Sequence, residues 1–350
     1  MSARLEDFRH APSYRPVPGN LRTSPEVLSE RNKDMRRIRD SVIVITGTSS
    51  GIGRATALHL AEHGGRVVLA SRQQAPNDEL AQMCEERGGQ AIAVATDVRD
   101  EAAVNELATR AIDQFGQLDA WVNNAAVSVF GRLEEIPMEA VRQVIETNLI
   151  GYIHGVRAAL PHLRQAGGGV IINVSSVVVK APQPFTIPYS VSKCAVSGLT
   201  EALRMELLDT PEIQACTILP PSVDTPVFQH AGNFSGSAVR PMDPIYPAER
   251  IAEAIGDCLL SPRREIAVGP VGPMMTLLQS VAPSLGERFF SKKVSEDHLI
   301  DKPAPPSFGN LFEPDSQHNT VSGGWREHGG HRPLPEETEH ATAETEKASS

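Results

Sequence analysis

From residue 42 onward, short runs that are apolar at nearly every position alternate with longer stretches whose apolar residues recur every three or four places. The runs 42–46, 66–71, 91–95, 118–123, 170–175, 213–219 and 265–268 predict strands. Continuous rather than alternating apolarity marks a strand buried on both faces. The stretches 52–63, 78–87, 101–115, 138–165, 189–208 and 247–260 predict helices. Strand and helix in strict alternation predict an α/β fold, a doubly wound parallel sheet of about seven strands with helices on both faces, in a single domain.

The ends depart from this pattern. Residues 1–40 are rich in Arg, Pro and Ser and read as a leader, with one helix begun by Ser24 as N-cap and Pro25 at its first position. Residues 41–270 read as the main domain, with an insertion at 226–246 that reads as a lid, and 271–312 as a helical extension. Residues 313–350 read as a disordered polar tail. The stretch 266–286 holds no charge and is long enough to span a bilayer, but Gly269, Pro270, Gly272, Pro273 and Pro283 interrupt it. It reads as a last strand followed by a short helix, 273–282.

The bulk chemistry narrows the function. A net charge of -10 over 350 residues, without a basic cluster in the core, argues against nucleic acid as a partner. Cys84, Cys194, Cys216 and Cys258 form no CxxC pair and lie near no histidine at metal spacing, so neither a disulfide framework nor a metal site is expected. The first residues lack the apolar core of a secretory signal, and a cytoplasmic location is the expectation.

Two stretches carry chemistry. The first, Thr46-Gly47-Thr48-Ser49-Ser50-Gly51-Ile52-Gly53, sits between a strand and a helix, the place of a dinucleotide cradle. Gly47 permits the tight turn, Gly51 lets backbone approach a pyrophosphate, and Gly53 lets helix pack on strand. Ser49 and the helix N-terminus at Ile52 add donors and a partial positive charge. At the end of the second strand Ser71 stands where an acid would read a ribose, and Arg72 follows. A guanidinium there favours NADP(H) over NAD(H). Asp97 and Val98 end the third strand facing an adenine edge, and Asn123-Asn124 end the fourth.

The second stretch, Tyr189-Ser190-Val191-Ser192-Lys193, sets a phenol and an ammonium on one helical face. An unperturbed tyrosine, with a pKa of about 10, is a poor proton shuttle at neutral pH, and a nearby cation favours its phenolate. Ser176, at the end of the fifth strand, is placed to donate a hydrogen bond to a substrate oxygen, or to cap the strand end. Asn148, a poor mid-helix residue, either holds a water beside Lys193 or marks a helix irregularity. Hydride chemistry on a carbonyl or alcohol is the expected reaction.

Taken in order, Thr46-Gly47-x-x-x-Gly51-Ile52-Gly53, Asp97, Asn123-Asn124-Ala125, Asn148, Ser176, Tyr189-x-x-x-Lys193 and Pro220-x-x-Val223-x-Thr225 resemble the short-chain dehydrogenase/reductase family in its compact single-domain branch. The resemblance covers about residues 40–270 and implies a Rossmann-like fold. It implies that Tyr189 is the general acid/base, that Lys193 lowers its pKa and holds the nicotinamide ribose, that Ser176 orients the carbonyl and that Asn148 maintains a proton relay. It also implies that Thr225 contacts the carboxamide, that the protein forms a homodimer or homotetramer, and that reduction is the working direction. Ala126 and Pro221 stand where the family has glycine.

Between Thr225 and Pro247 lies an insertion of the kind that forms a substrate lid. Phe228, Phe234, Pro184, Phe185 and Ile187 are the expected wall of an apolar pocket, and His230 is read as structural. The segment 273–293 either covers the pocket, packs a subunit interface or rests on an anionic membrane surface. A nucleotide-sensing or scaffold protein that keeps the fold without turnover is the alternative function, which the complete Asn148-Ser176-Tyr189-Lys193 set opposes.

Overall fold

β1 (Val42–Thr46) is buried along its whole length, as its unbroken apolar sequence requires. The coordinates are a computed structural model that describes residues 38–270, 272, 274, 275, 282–315 and 317–327. The remaining strands of the central sheet are β2 (Arg66–Ser71), β3 (Gln90–Ala95), β4 (Ala120–Asn123), β5 (Gly169–Val174), β6 (Ile213–Leu219) and β7 (Glu265–Ala267). They lie in the order β7-β6-β5-β4-β1-β2-β3, and every pair is parallel.

Neighbouring residues of one strand serve opposite faces, which is why continuous apolar runs are needed. Ile43, Ile45, Val67 and Leu69 join one core with helices α1 (Gly51–Glu62), α2 (Gln74–Glu86) and α7 (Ala248–Leu260). Val42, Val44, Val68 and Ala70 join the other with α3 (Glu101–Phe115), α5 (Gly151–Ala166) and α6 (Ile187–Glu206). The strand order reverses between β1 and β4, and sheets of this type hold ligands in the crevice outside the strand ends at that point.

Some boundaries differ from the sequence reading. α2 begins at Gln74 rather than 78, because Pro76 is tolerated in a first helical turn. The stretch 138–165 is not one helix. It divides into α4 (Met138–Ile145), a widened π turn at Glu146–Ile150, and α5. The Asn148 carboxamide drives this irregularity by binding the backbone N–H and C=O of Val127 at 2.8 and 3.0 Å.

The C-terminal part also departs from expectation. α8 (Pro283–Asp297) is followed by β8 (Leu299–Pro303), which pairs antiparallel with 237–239. Residues 313–327, expected as part of a disordered tail, instead pack on the domain through Trp325, which is 7% exposed. Asp224, 4% exposed, accepts the backbone N–H groups of Gly323 and Trp325 at 3.0 and 2.9 Å and the Ser322 hydroxyl at 2.8 Å. A polar composition thus conceals one apolar anchor and one buried acceptor. The Ser24 helix lies outside the described residues. Of the helix expected at 273–282, Met274 and Met275 are helical and 276–281 lie outside the described residues.

Among the described residues no helix is long and apolar enough to cross a membrane. The four cysteines are free.

Candidate functional site

At the end of β1 the chain turns through Gly47 with φ +74°, a conformation that side chains rarely adopt. Any Cβ at Gly53 would lie 2.1 Å from the Gly47 carbonyl oxygen, so only glycine lets α1 start this close to the strand. Asn124 fastens the turn from below, donating through Nδ2 to the carbonyls of Thr46 at 2.9 Å and Gly47 at 3.1 Å. The loop is therefore held by its neighbours before any ligand arrives.

Beside it opens a cavity of about 380 Å³ along the C-terminal ends of the strands. Gly47, Ser49, Gly51, Ile52, Arg72, Asp97, Val98, Asn124, Ser176, Tyr189, Lys193 and Thr225, all expected from the sequence, line this one space. Gly53 and Asn148 do not reach it. Gly53 acts from behind the turn, and Asn148 is fully buried, with Nδ2 also 3.0 Å from the Ser192 hydroxyl. Asn148 thus fixes the chain after β4 and the helix that carries Tyr189, rather than touching a ligand. Ala126 and Pro221 both line the cavity.

Tyr189 and Lys193 sit on α6, and Ser176 follows the end of β5. Ser176 faces the cavity and also caps the chain after the strand. It lines the cavity, and its hydroxyl accepts the Val178 N–H at 3.3 Å, capping the short 3-10 turn Val177–Val179. Lys193 is 2% exposed and donates to the Val174 carbonyl at 2.8 Å and the Tyr152 hydroxyl at 3.3 Å. Its ammonium stands 5.6 Å from the centre of the Tyr189 ring.

The proton affinities differ from the expectation of an acidified phenol. Burial pushes Lys193 down to about 7. Burial also raises Tyr189, and the hydrogen bond from Ser176 only partly reverses it. Loss of water thus weighs against the charged form of both groups, leaving the amine poised near neutral pH and the phenol protonated.

At the far end of the cavity the cationic groups are more than the sequence suggested. Arg99, unforeseen, lines the wall and holds Asp97 through both carboxylate oxygens at 3.0 Å. Burial works against the Asp97 charge, but these bonds keep its carboxyl below the ordinary value. Arg72 turns its guanidinium to the carbonyls of Asn310 and Phe312, at 2.8 and 3.1 Å. The Gly51 N–H donates to the Thr320 carbonyl at 2.8 Å. Residues 304–315 and 317–327 therefore form a strap over the mouth of the cradle, which the scattered apolar positions Phe308, Leu311, Phe312 and Trp325 did not announce.

Of the expected apolar wall, Phe228 lines the cavity together with Phe130, Met242, Met274, Met275 and Phe289. Pro184, Phe185, Ile187 and Phe234 do not. Phe185 faces the Arg132 guanidinium at 5.5 Å, Ile187 is exposed, and Phe234 packs edge-on against Phe308 at 5.3 Å. Their places are taken by the C-terminal extension, so 274–293 covers the pocket at least at Met274, Met275, Phe289 and Lys293.

Asp224→Ala would leave two backbone N–H groups of the strap without an acceptor, at a cost of about 2 kcal/mol. Amide exchange over 320–327 is expected to rise roughly 30-fold, and unchanged exchange there would show that Asp224 does not hold the strap.

The glycine-rich turn, the donors of α1 and the cavity between loop and Tyr189 are suited to a dinucleotide. Comparison with known proteins agrees. Residues 41–235 match the sequence model of short chain dehydrogenases. An uncharacterized oxidoreductase, YxnA, of Bacillus subtilis strain 168 is 36% identical over 295 residues, 81% of this chain and 82% of that protein. A short-chain dehydrogenase/reductase of Burkholderia phymatum, solved in complex with NAD, superposes with a TM-score of 0.63 at 28% identity, over 71% of this chain and 96% of that one. An alcohol dehydrogenase of Thermococcus sibiricus, complexed with 5-hydroxy-NADP, superposes with a TM-score of 0.56 at 29% identity, over 65% and 95%.

Proposed function

We propose that this chain, which belongs to the short-chain dehydrogenase family of oxidoreductases, interconverts an apolar ketone or aldehyde and the corresponding alcohol with NADP(H). The observation that carries the reading is the convergence of Ser176, Tyr189 and Lys193 on the same cavity that the glycine-rich turn opens into. A scaffold that only sensed nucleotide would need the turn and not the three polar groups.

The nicotinamide cofactor, when bound, supplies or accepts the hydride. Gly47, Ser49, Gly51 and Ile52 would hold its phosphates, with Gly53 letting the turn close behind them, Asp97, Val98 and Asn124 the adenosine half, and Tyr189, Lys193 and Thr225 the nicotinamide half. Ser176 donates a hydrogen bond to the substrate oxygen and fixes it beside Tyr189. The phenol then gives its proton to that oxygen as the alcohol forms, and takes it back in the reverse direction. Lys193 stabilises the phenolate left behind, and a group that changes charge near pH 7 suits that task.

NADP(H) rather than NAD(H) is supported by Ser71 in place of an acid and by two guanidinium groups, Arg72 and Arg99, on that wall. An apolar substrate is supported by Phe130, Phe228, Met242, Met275 and Phe289 on the wall beyond Ser176. The decisive test is a fluorescence titration with NADPH and NADH, followed by a panel of carbonyls read at the nicotinamide absorbance. Bulky apolar ketones and aldehydes are expected to turn over best. Binding of either cofactor without turnover on any carbonyl or alcohol would favour the sensing alternative. Arg72→Glu is expected to cut the preference for NADPH at least about tenfold, the scale of a lost charge-assisted contact with a phosphate. A variant that kept its preference would remove Arg72 from cofactor selection.

A further inference from the structure

His230 ends the short helix of the lid, and Asp315 and His318 lie on the strap, 85 and 88 residues further along the chain. The fold brings one ligand-type atom from each to within 4.8 Å of the others. His230 Nε2 is 3.6 Å and His318 Nδ1 3.9 Å from the same oxygen of Asp315, Oδ2. A tetrahedral ion with bonds of about 2.0–2.2 Å holds its ligand atoms roughly 3.3–3.5 Å apart, so a few tenths of an ångström at the carboxylate and somewhat more between the rings close the shell.

Two further observations point to a ligand. His318 Nδ1 is buried and, among the described residues, has no hydrogen-bond partner, a cost that buried polar atoms rarely bear. Its backbone has φ +57°, a left-handed conformation uncommon outside glycine and one that residues keep where function demands it. Opposite it, His230 is 7% exposed, so its ring is held in place by packing. Nε2 of His230 also lies 3.3 Å from the Gln317 carbonyl, a long contact that a metal would replace and an oxygen that can complete the shell. Arg72 is near enough to repel a cation at this place, yet Glu313 partly neutralises it and its donors are occupied by strap carbonyls.

We propose that His230, Asp315 and His318 form a binding site for a divalent transition ion of the zinc class, which clasps the strap to the lid at the mouth of the cavity. Two imidazoles and a carboxylate suit zinc over magnesium or calcium, which prefer all-oxygen shells. No sign of the site was legible along the chain, since its ligands are spread over 88 residues. Nothing in this assignment depends on which nicotinamide cofactor the cradle takes.

The test is a titration of the full chain, stripped with a chelator, with Zn²⁺ alone against a chromophoric competitor. One equivalent is expected to bind in the micromolar range or tighter. His318→Ala and Asp315→Ala are each expected to weaken that equivalent at least about 100-fold, the upper range seen when a metal's supporting groups are removed. Amide exchange over 310–325 is expected to slow on adding Zn²⁺ in the wild type and in neither variant. Thermal unfolding of the two metal-free variants, within a few degrees of wild type, shows that they fold, and Co²⁺ in wild type should give the visible bands of a tetrahedral site. Absence of binding in wild type, or full affinity in either variant through histidines elsewhere, would overturn the proposal. Zn²⁺ binding that is lost in the variants while exchange over the strap is unaltered would overturn the clasp.

Discussion

Tyr189→Phe is expected to reduce turnover by about 10²–10⁴-fold, the range lost when a positioned acid or base is removed, while NADPH still binds. The substitution deletes one oxygen and leaves the ring, so the 5.6 Å contact between the Lys193 ammonium and the ring centre survives. The cradle of Gly47, Gly51 and Gly53 lies on another element and does not change. What disappears is the proton that Ser176 and Tyr189 together present to the substrate oxygen. Steady-state rates on the best carbonyl of the panel, with a parallel fluorescence titration, separate the two effects. Turnover within a factor of a few of wild type would remove Tyr189 from the chemistry and with it the proposed mechanism.

The second large effect concerns Lys193, which α6 buries completely among Val174 and Tyr152. Its folded proton affinity, near 7, lies below the unfolded value of 10.5. Between these two values the unfolded chain binds more protons, so stability rises with pH across that window, by about 1.4 kcal/mol per pH unit from this one group. Below about pH 7 both states carry the proton and the charging penalty is constant. Lys193→Met removes the titrating group, and its own stability should lack this slope. Urea unfolding of cofactor-free wild type and variant at several pH values from 7 to 10 measures it, since all other titrations cancel in the difference. The variant should gain on the wild type by several kcal/mol as pH falls through the window, and lose turnover at every pH. Parallel stability profiles would show that the amine is not held against its charge.

That coupling also explains why a buried lysine is kept. An apolar residue of similar size would stabilise the cofactor-free protein near neutral pH, so the amine is retained at a cost in stability. Such a cost is expected where function needs a strained group, and Lys193 is one of the few charged-type side chains in the core.

Much of the site was legible because its parts are local. A glycine turn between strand and helix, a Tyr-x-x-x-Lys on one helical face and a serine at a strand end are each set by a few neighbouring residues. Parallel topology then carries both strand ends to one edge of the sheet, where the helix brings its pair to meet them. Tyr152 was missed although it lies four residues after Asn148, a spacing that puts it on the same side of the helix. Arg99 was missed because a basic residue two places after Asp97 reads as an ordinary surface charge. The apolar wall was misassigned at Pro184, Phe185, Ile187 and Phe234 because nothing local tells which aromatic side chains of a loop turn inward.

By itself, the sequence determined the order of strands and helices, the burial of the strands on both faces, the glycine-rich turn and the placing of Ser176, Tyr189 and Lys193. Each follows from periodicity or from contacts within a few residues, where the chain has little freedom. Tertiary structure alone decided that residues 304–315 and 317–327 cross the cradle, that Arg72 spends its donors on that strap, and that His230 meets Asp315 and His318. It also decided that loss of water weighs against the charge on both Lys193 and Tyr189. These outcomes depend on contacts between distant segments and on how much water each group loses, and neither distance in space nor loss of water is written in the local order of residues.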